Sequence, residues 1–274
     1  MSSATVAPLS IAADAVDRLP PVADEAFFEQ CQPAAAPAWL KPLNLPTPRT
    51  DLRCLRLRTR LVKRVVDISV ASVLLLVTAP LLVMAAVAIK FSSPGPLIFT
   101  QVRVGLNTRR ERAAGLAAAG TNCRRKQANY GKPFKIYKLR TMHVQTAAGG
   151  PRQAQPGDCR VFPVGRLLRR MRIDELPQLV NVLRGEMSMV GPRPECIEYM
   201  DELSRKVPGY LNRLGLKPGL TGIAQIEAGY ANDLPSYRRK VAYDLLYLQS
   251  CSLWNDLRIM RRTVRVVLSG FGAL

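Results

Sequence analysis

The stretch VVDISVASVLLLVTAPLLVMAAVAI, Val65–Ile89, contains a single charge, Asp67. A bilayer core is spanned by about 20 apolar helical residues, so this stretch is long enough to cross one. Two features argue against a simple crossing. Pro80, near the middle, removes a backbone donor and leaves the carbonyl of Leu76 without its partner; the hydroxyl of Thr78 is a candidate replacement. Both flanks are also cationic, with Arg58, Arg60, Lys63 and Arg64 before the stretch and Lys90 and Arg103 after it. Cationic flanks mark the cytoplasmic side of a membrane. Two of them describe a segment that enters the bilayer, turns near Thr78–Pro80 and returns. A straight span with a tolerated proline kink, or a buried helix of a soluble protein, stands as the alternative.

Outside this segment charge dominates. The 274 residues include 40 Lys and Arg against 20 Asp and Glu, a formal net charge of +20. Residues 1–50 hold three basic and five acidic side chains, and the remainder holds 37 and 15. A surface so basic seeks phosphate, whether in nucleic acid, anionic lipid or a phosphorylated small molecule. The length suffices for one sizeable core or two small ones. Six cysteines (31, 54, 123, 159, 196 and 251) show no C-x-x-C spacing and read as reduced thiols in a cytoplasmic setting. The single histidine, His143, leaves little room for histidine acid–base chemistry or a His-rich metal site.

Two stretches read as irregular. Residues 1–58 form an Ala/Pro-rich tail without a secretion-signal pattern, expected to be disordered apart from short contacts around Phe27 and Trp39. Residues 108–130, TRRERAAGLAAAGTNCRRKQANY, read as an inserted basic loop. Around that loop, SPGPLIFTQVRVG (93–105) and KPFKIYKLRTM (132–142) have strand character and pair as a β-hairpin with the insertion at its tip. VGRLLRRMRI (164–173) reads as a basic helix.

The next stretch, RIDELPQLVNVLRGEMSMVGPRP (172–194), holds the chemistry. Leu176, Leu179, Val180 and Leu183 follow a helical stripe, and Pro177 fits only a first turn, which places a helix start at about Asp174. Asp174 and Glu175 then sit where backbone donors are unpaired and the helix dipole is positive. An isolated Asp-Glu at a helix start is ordinary capping. Here Arg166, Arg169, Arg170 and Arg172 lie within two turns upstream and Arg193 follows between prolines. Cations keep a carboxylate ionised and also neutralise phosphate. An ionised Asp174 among them suits nucleophilic attack on phosphorus, with Glu175 as an oxygen ligand for a divalent cation. Arg193, with its backbone restricted by prolines, presents a fork suited to bidentate phosphate contact. In KPGLTG, Pro218 and two glycines form a turn that directs backbone N–H groups and Lys217 toward a ligand; a plain surface loop reads equally well.

FKIYKLRTM, DELPQLVNVLRGEMSMVGPRPE, KPGLTGIAQ and the terminal YDLLYLQSCSLWNDLRIMRRTVRVVLSGFGA together resemble the bacterial sugar transferase family, the monotopic phosphoglycosyl transferases. The resemblance runs from about Lys63 to Ala273, interrupted at 108–130, and leaves the tail outside. It implies transfer of a hexose 1-phosphate from a UDP-sugar to polyprenyl phosphate, releasing UMP through a covalent aspartyl-phosphosugar, as the start of exopolysaccharide or related glycan assembly. By resemblance Asp174 is the nucleophile and Glu175 its partner and Mg2+ ligand. Lys138, Arg169, Arg193 and Asp244 match polar positions of the family's site, although Lys138 also reads as a solvated strand charge and Asp244 as a helix-surface acid. The family's Ser-Pro break corresponds here to Thr78-Ala79-Pro80. The expected fold is α+β and mainly helical. It comprises a re-entrant membrane helix (59–92) broken at Pro80 and a cytosolic catalytic domain (93–274) with a short β-hairpin and interfacial amphipathic helices, on the inner membrane.

Leu253, Leu257, Met260, Val264 and Leu268 form one more apolar stripe, with arginines on other faces and Trp254 near its start. This suits a helix lying among lipid headgroups, or an ordinary core-facing helix. The partners expected are a UDP-sugar, polyprenyl phosphate and inner-membrane lipid, and no nucleic acid. The rival readings are a membrane-tethered basic nucleic-acid-binding or scaffold protein, for which no reader motif exists, and another phosphotransferase such as a lipid phosphatase. Neither the sugar nor the oligomeric state, a dimer included, is legible in these motifs.

Overall fold

A computed structural model of the chain describes residues 36–41, 43, 49, 55–107, 130–144, 157–229 and 233–269. The insertion reading therefore lies outside the described residues except for Tyr130, and the tail reading outside them except at its C-terminal part. The apolar stretch forms helix α1 (Leu57–Ser92), 36 residues long. At 1.5 Å per residue that is about 54 Å, well beyond the roughly 30 Å of a hydrocarbon core. The expected break at Pro80 is corrected. Pro80 lies inside helix that continues without interruption, and Thr78 Oγ1 donates to Leu74 O (2.7 Å) rather than to Leu76 O. One proline deletes only one ladder bond, and an apolar helix keeps the rest.

Both ends of α1 pack on the same folded unit. At the N-terminal end Ala71 joins the main core with Leu179, Val182 and Met187. At the other end Ala85 and Ile89 pack with Leu139, Phe162, Leu168 and Ile173. Between them Val73, Leu76, Val77, Val83 and Met84 are exposed. Buried polar contacts pin the ends. Asp67 Oδ1 accepts from Ser188 Oγ (3.1 Å) and Met189 N–H (3.0 Å). Lys63 Nζ bonds Asp256 Oδ2 (2.5 Å) and the hydroxyl of Tyr247 (3.1 Å). At the far end the buried Arg140 donates to Ser93 O (2.6 Å), Ser93 Oγ (2.8 Å), Pro94 O (2.9 Å) and Pro96 O (2.7 Å).

The remaining elements form a small α+β domain. Strands β1 (Ile98–Val104) and β2 (Pro133–Leu139) pair antiparallel, Ile98 opposite Leu139 and Val104 opposite Pro133, as the expected hairpin. Helix α2 (Pro163–Arg170) precedes a 3-10 turn (Ile173–Gln178) and helix α3 (Leu179–Arg184). Strand β3 (Ser188–Val190) leads to α4 (Ile197–Lys206), a second 3-10 turn (Tyr210–Gly215) and β4 (Gly219–Thr221). Helices α5 (Ile223–Glu227), α6 (Leu234–Ser250) and α7 (Leu253–Ser269) are the last described elements.

The KPGLTG stretch proves to be a strand that pairs parallel with β3, a sheet the sequence reading lacked. Part of its hydrogen bonding is spent inside the fold. Gly219 N–H donates to Pro192 O (2.8 Å), and Ser188 N–H to Pro218 O (2.8 Å). The glycines permit close approach: a Cβ on Gly219 would stand 2.1 Å from Gly191 N.

Part of the expected tail docks on the domain. Leu40 is buried in the main core. Trp39 Nε1 donates to Glu227 Oε1 (2.9 Å), and the Arg262 guanidinium lies over the indole at 4.5 Å. Lys41 and Asn255 exchange two hydrogen bonds (3.2 and 2.9 Å), and Arg49 and Gln249 exchange two more (both 2.9 Å). A hydrogen bond to a charged group and a cation–π contact are together worth about 2 kcal/mol. A chain beginning at residue 42 should therefore unfold roughly 4–8 °C below one beginning at residue 36. Coincident melting curves in a thermal scan would show that the docked segment adds nothing.

Candidate active site

The acid pair sits at a junction made by unusual backbone. Helix α2 approaches β2 so closely that a Cβ on Gly165 would lie 2.2 Å from Thr141 O. That approach lets Arg169 Nε reach Thr141 Oγ1 (2.8 Å). Arg172 follows in the left-handed region (φ 57°), alone among the described non-glycine residues. Such conformations are strained and concentrate at functional sites. The chain then enters a 3-10 turn, not the expected α-helix start at Asp174, and α-helix resumes only at Leu179. Pro177 lies inside that turn and the Glu175 N–H already donates to Arg172 O (3.2 Å). Positive potential at the acid pair thus comes from side chains rather than a helix N-terminus.

Those side chains are well defined. Glu175 is buried, with Oε1 bonded to Lys138 Nζ (2.7 Å) and Arg193 Nη2 (2.6 Å) and Oε2 to Arg193 Nη1 (3.3 Å). Burial raises its pKa, but Arg193 and Lys138 outweigh that and hold the carboxyl well below its usual range. Asp174, equally buried, is raised to about 6, first by burial and then by Glu175, against the pull of Lys138, Arg169 and Arg193. Burial likewise lowers Lys138, opposed by Glu175. Cations surround both acids, yet Glu175 engages them directly.

Lys138, Arg169, Arg172, Asp174, Glu175 and Arg193 all line one open cleft of about 1730 Å3. Two expected residues do not. Asp244 is 2 % exposed and lies behind the wall, paired with Arg213 (2.8 Å). It acts at one remove, because Arg213 Nη2 donates to Arg193 O (2.8 Å). Lys217 stands with Lys63, Arg64 and Asp67 at the N-terminal docking of α1, its pKa lowered by burial and by Arg64. Neither is brought to the acid pair: Asp244 is consumed by a buried ion network, and Lys217 lies among Arg64, Asp67 and Lys63.

The sequence reading missed the centre of that network. Glu195, directly after GPRP, binds Lys240 and lies 3.8 Å from Arg213 and 3.9 Å from Arg103. Burial pushes it up, yet Lys240, Arg213 and Arg103 hold it at about 2. The adjacency of an acid to the Arg193 motif was the available signal. Asn181, 0 % exposed, was missed too; it joins Tyr137 N–H, Lys135 O and Glu186, and so fixes β2 and Lys138 against α3.

The cleft pairs an electrostatically split acid pair with a ring of cations, on a domain clasped to a long apolar helix. The bacterial sugar transferase family model matches residues 58–114 and 121–270, and the chain belongs to that family. It is 44 % identical over 227 residues to the UDP-glucose:undecaprenyl-phosphate glucose-1-phosphate transferase of Caulobacter vibrioides, covering 82 % of this chain and 73 % of that protein. It is 40 % identical over 212 residues to the UDP-N-acetylgalactosamine-undecaprenyl-phosphate N-acetylgalactosaminephosphotransferase of Aeromonas hydrophila, covering 77 % of this chain but 45 % of the relative. The glucose-1-phosphate transferase of Escherichia coli K12 is 39 % identical over 75 % of this chain and 40 % of its own length.

The split carboxylates carry opposite stability signatures. Asp174 has a folded-state pKa raised from 3.8 to about 6, so its contribution is complete below pH 3.8 and is lost as pH rises through about 6. Asp174→Asn should therefore stabilise the fold at pH 8 by at most about 3 kcal/mol, with the gain vanishing below pH 4. Glu175→Gln leaves Lys138 and Arg193 uncompensated and should destabilise by about 3 kcal/mol. Denaturant titrations at both pH values check this; shifts of equal sign would refute the assignment.

Proposed function

We propose that this chain transfers a hexose 1-phosphate from a UDP-sugar to polyprenyl phosphate at the cytoplasmic face of the inner membrane, as the first step of exopolysaccharide or related glycan assembly. One observation carries the reading. A single cleft holds a buried carboxylate with pKa about 6 among cations and is also walled by apolar residues of α1 and α7. A water-soluble phosphate donor and a lipid acceptor need both environments. The relatives, which are named for glucose and N-acetylgalactosamine transfer to undecaprenyl phosphate, support the same substrate classes.

In the proposed step, one Asp174 oxygen attacks the sugar-bearing phosphorus. The bond from that phosphorus to the bridging oxygen breaks, UMP leaves with the electron pair, and the phosphosugar remains on Asp174. An oxygen of polyprenyl phosphate then attacks the same phosphorus and frees the carboxylate. Arg193 and Lys138 would stabilise charge on the transferred group. Arg169, held by Thr141, faces the same cleft. Asp174 and Glu175 suit magnesium, which takes one or two carboxylates and completes its shell with substrate oxygens. Among the described residues no group of three or more acidic, histidine or cysteine side chains could hold a metal. Glu175 would hold a magnesium ion, whose chemistry there would be neutralisation of leaving-group charge.

Docking of both α1 ends on one domain argues against a simple span, which would carry one end to the far side of the bilayer, and the re-entrant reading rests on the cationic flanks at both ends. Thiols placed at positions 60 and 103 should both resist an impermeant reagent applied outside the cell. Labelling of position 60 alone would establish a span.

Turnover should follow the state of Asp174, with kcat/KM rising through about pH 6 as the carboxyl loses its proton. Intact mass after incubation with UDP-glucose or UDP-N-acetylgalactosamine and magnesium, without acceptor, should show a sugar-phosphate adduct that Asp174→Asn lacks. Absence of the adduct with intersecting initial-rate lines would favour direct transfer instead.

A further inference from the structure

Helices α5 and α7 pack against each other and both line the cleft, α5 through Gln225 and Ile226 and α7 through residues such as Met260, Arg261 and Thr263. Glu227 and Arg262 stand next to these residues but are not part of the lining. Their ion pair is weak by itself. Arg262 Nη1 lies 4.0 Å from Glu227 Oε1, and the two side chains are 38 % and 27 % exposed. Such a solvated pair contributes little. Trp39 supplies what the pair lacks. Its indole N–H donates to Glu227 Oε1 (2.9 Å), and the Arg262 guanidinium stands 4.5 Å from the centre of its ring. A charge-assisted hydrogen bond and a cation–π contact thus join α5 to α7 through one side chain.

The neighbours of Trp39 hold it in place. Leu40 is buried in the main core, and the backbone of Lys41 exchanges two hydrogen bonds with the buried Asn255 of α7. One residue beyond Arg262, Thr263 Oγ1 meets Thr221 Oγ1 of β4 (2.6 Å), and both threonines line the cleft. A displacement of α7 at Arg262 therefore moves the lining on either side of it, Arg261 and Thr263. The matched family region begins at residue 58, so the clamp comes from a part of the chain outside it.

We propose that Trp39 is a positioning residue: by clamping Glu227 to Arg262 it holds the α5–α7 side of the cleft in the geometry that transfer to the acceptor requires. The assignment rests on the function proposed above and adds a control of its second step. The acid pair takes its partners elsewhere, from Lys138 on β2 and from Arg193, so formation of the phosphosugar does not need the clamp. The lining that α7 adds is chiefly apolar, Leu257, Met260 and Val264 included, so delivery to a lipid is the step that depends on it.

The test uses the full chain in detergent micelles with UDP-glucose or UDP-N-acetylgalactosamine, magnesium and polyprenyl phosphate. Trp39→Ala should raise KM for polyprenyl phosphate about tenfold, while kcat stays within about threefold and acceptor-free UMP release within about twofold. Trp39→Phe keeps the ring over Arg262 but loses the N–H donor, so it should recover part of the loss. In an Arg262→Ala background Trp39→Ala should add little, because the two act as one unit. Val207→Ala, in a separate core cluster, lowers stability without touching the clamp and should leave the acceptor KM unchanged. Hydrogen exchange gives a reading without turnover: amides of α5 and those around Arg262 should exchange faster in Trp39→Ala, and those of β2 should not. Equal loss of UMP release and transfer, the same KM change in Val207→Ala, or unaltered exchange in α5 and α7 would overturn the clamp. Failure of the wild-type protein to release UMP from either UDP-sugar would instead overturn the function, with exchange still judging whether Trp39 joins the two helices.

Discussion

The clasp of one long apolar helix onto the domain at both ends orders much of this structure. Lys63, Arg64 and Asp67 bind at one end, and Arg140 wraps Ser93–Pro96 at the other. Arg64 donates to Val182 O (2.5 Å) and Leu183 O (2.7 Å), capping the C-terminal carbonyls of α3, the helix that follows the acid-bearing turn. Asp67 holds β3, and Arg140 lies two residues after Lys138. The contacts that hold the helix therefore also hold α3, β3 and the end of β2, and the last two line the cleft. Buried charges suit this role because each must find its partner or incur several kcal/mol.

Within the site, two neighbouring acids share one set of cations but diverge in proton affinity. Glu175 makes the direct bonds to Lys138 and Arg193 and stays ionised. Asp174 receives those cations only through space, and burial together with Glu175 leaves it near 6. A carboxylate so poised is a stronger base and nucleophile than a free one, while still largely ionised at neutral pH. Asp244, Arg213, Glu195 and Lys240 form a buried network that reaches Arg193 through its carbonyl, and Glu195 and Lys240 also line the cleft.

Much of the site could be read from residue type and spacing. Asp174, Glu175, Lys138, Arg169 and Arg193 do converge on one cleft. Asp244 and Lys217 do not, and the difference is physical. Spacing along the chain locates a charge on an element but does not say which buried partner claims it. Asp244 had Arg213 and Lys240 within reach, and Lys217 had the cationic end of α1. Trp39 presents the same difficulty, because its partners Glu227 and Arg262 lie about 190 residues and more away in sequence.

The sequence by itself determined the apolar helix with its cationic flanks, the β1–β2 hairpin, the acid pair and the basic surface. Each of these depends on composition or on periods of two to four residues, which the chain carries locally. Only the tertiary structure decided the rest. Pro80 stays within continuous helix because the loss of one hydrogen bond does not outweigh the others. Pairing of β3 with β4 depends on two glycines brought together across 28 residues, and the 3-10 turn at Asp174 follows a left-handed Arg172. The unequal proton affinities of Asp174 and Glu175 arise from burial and from which carboxylate touches Arg193 and Lys138, quantities that exist only once the chain has closed around them.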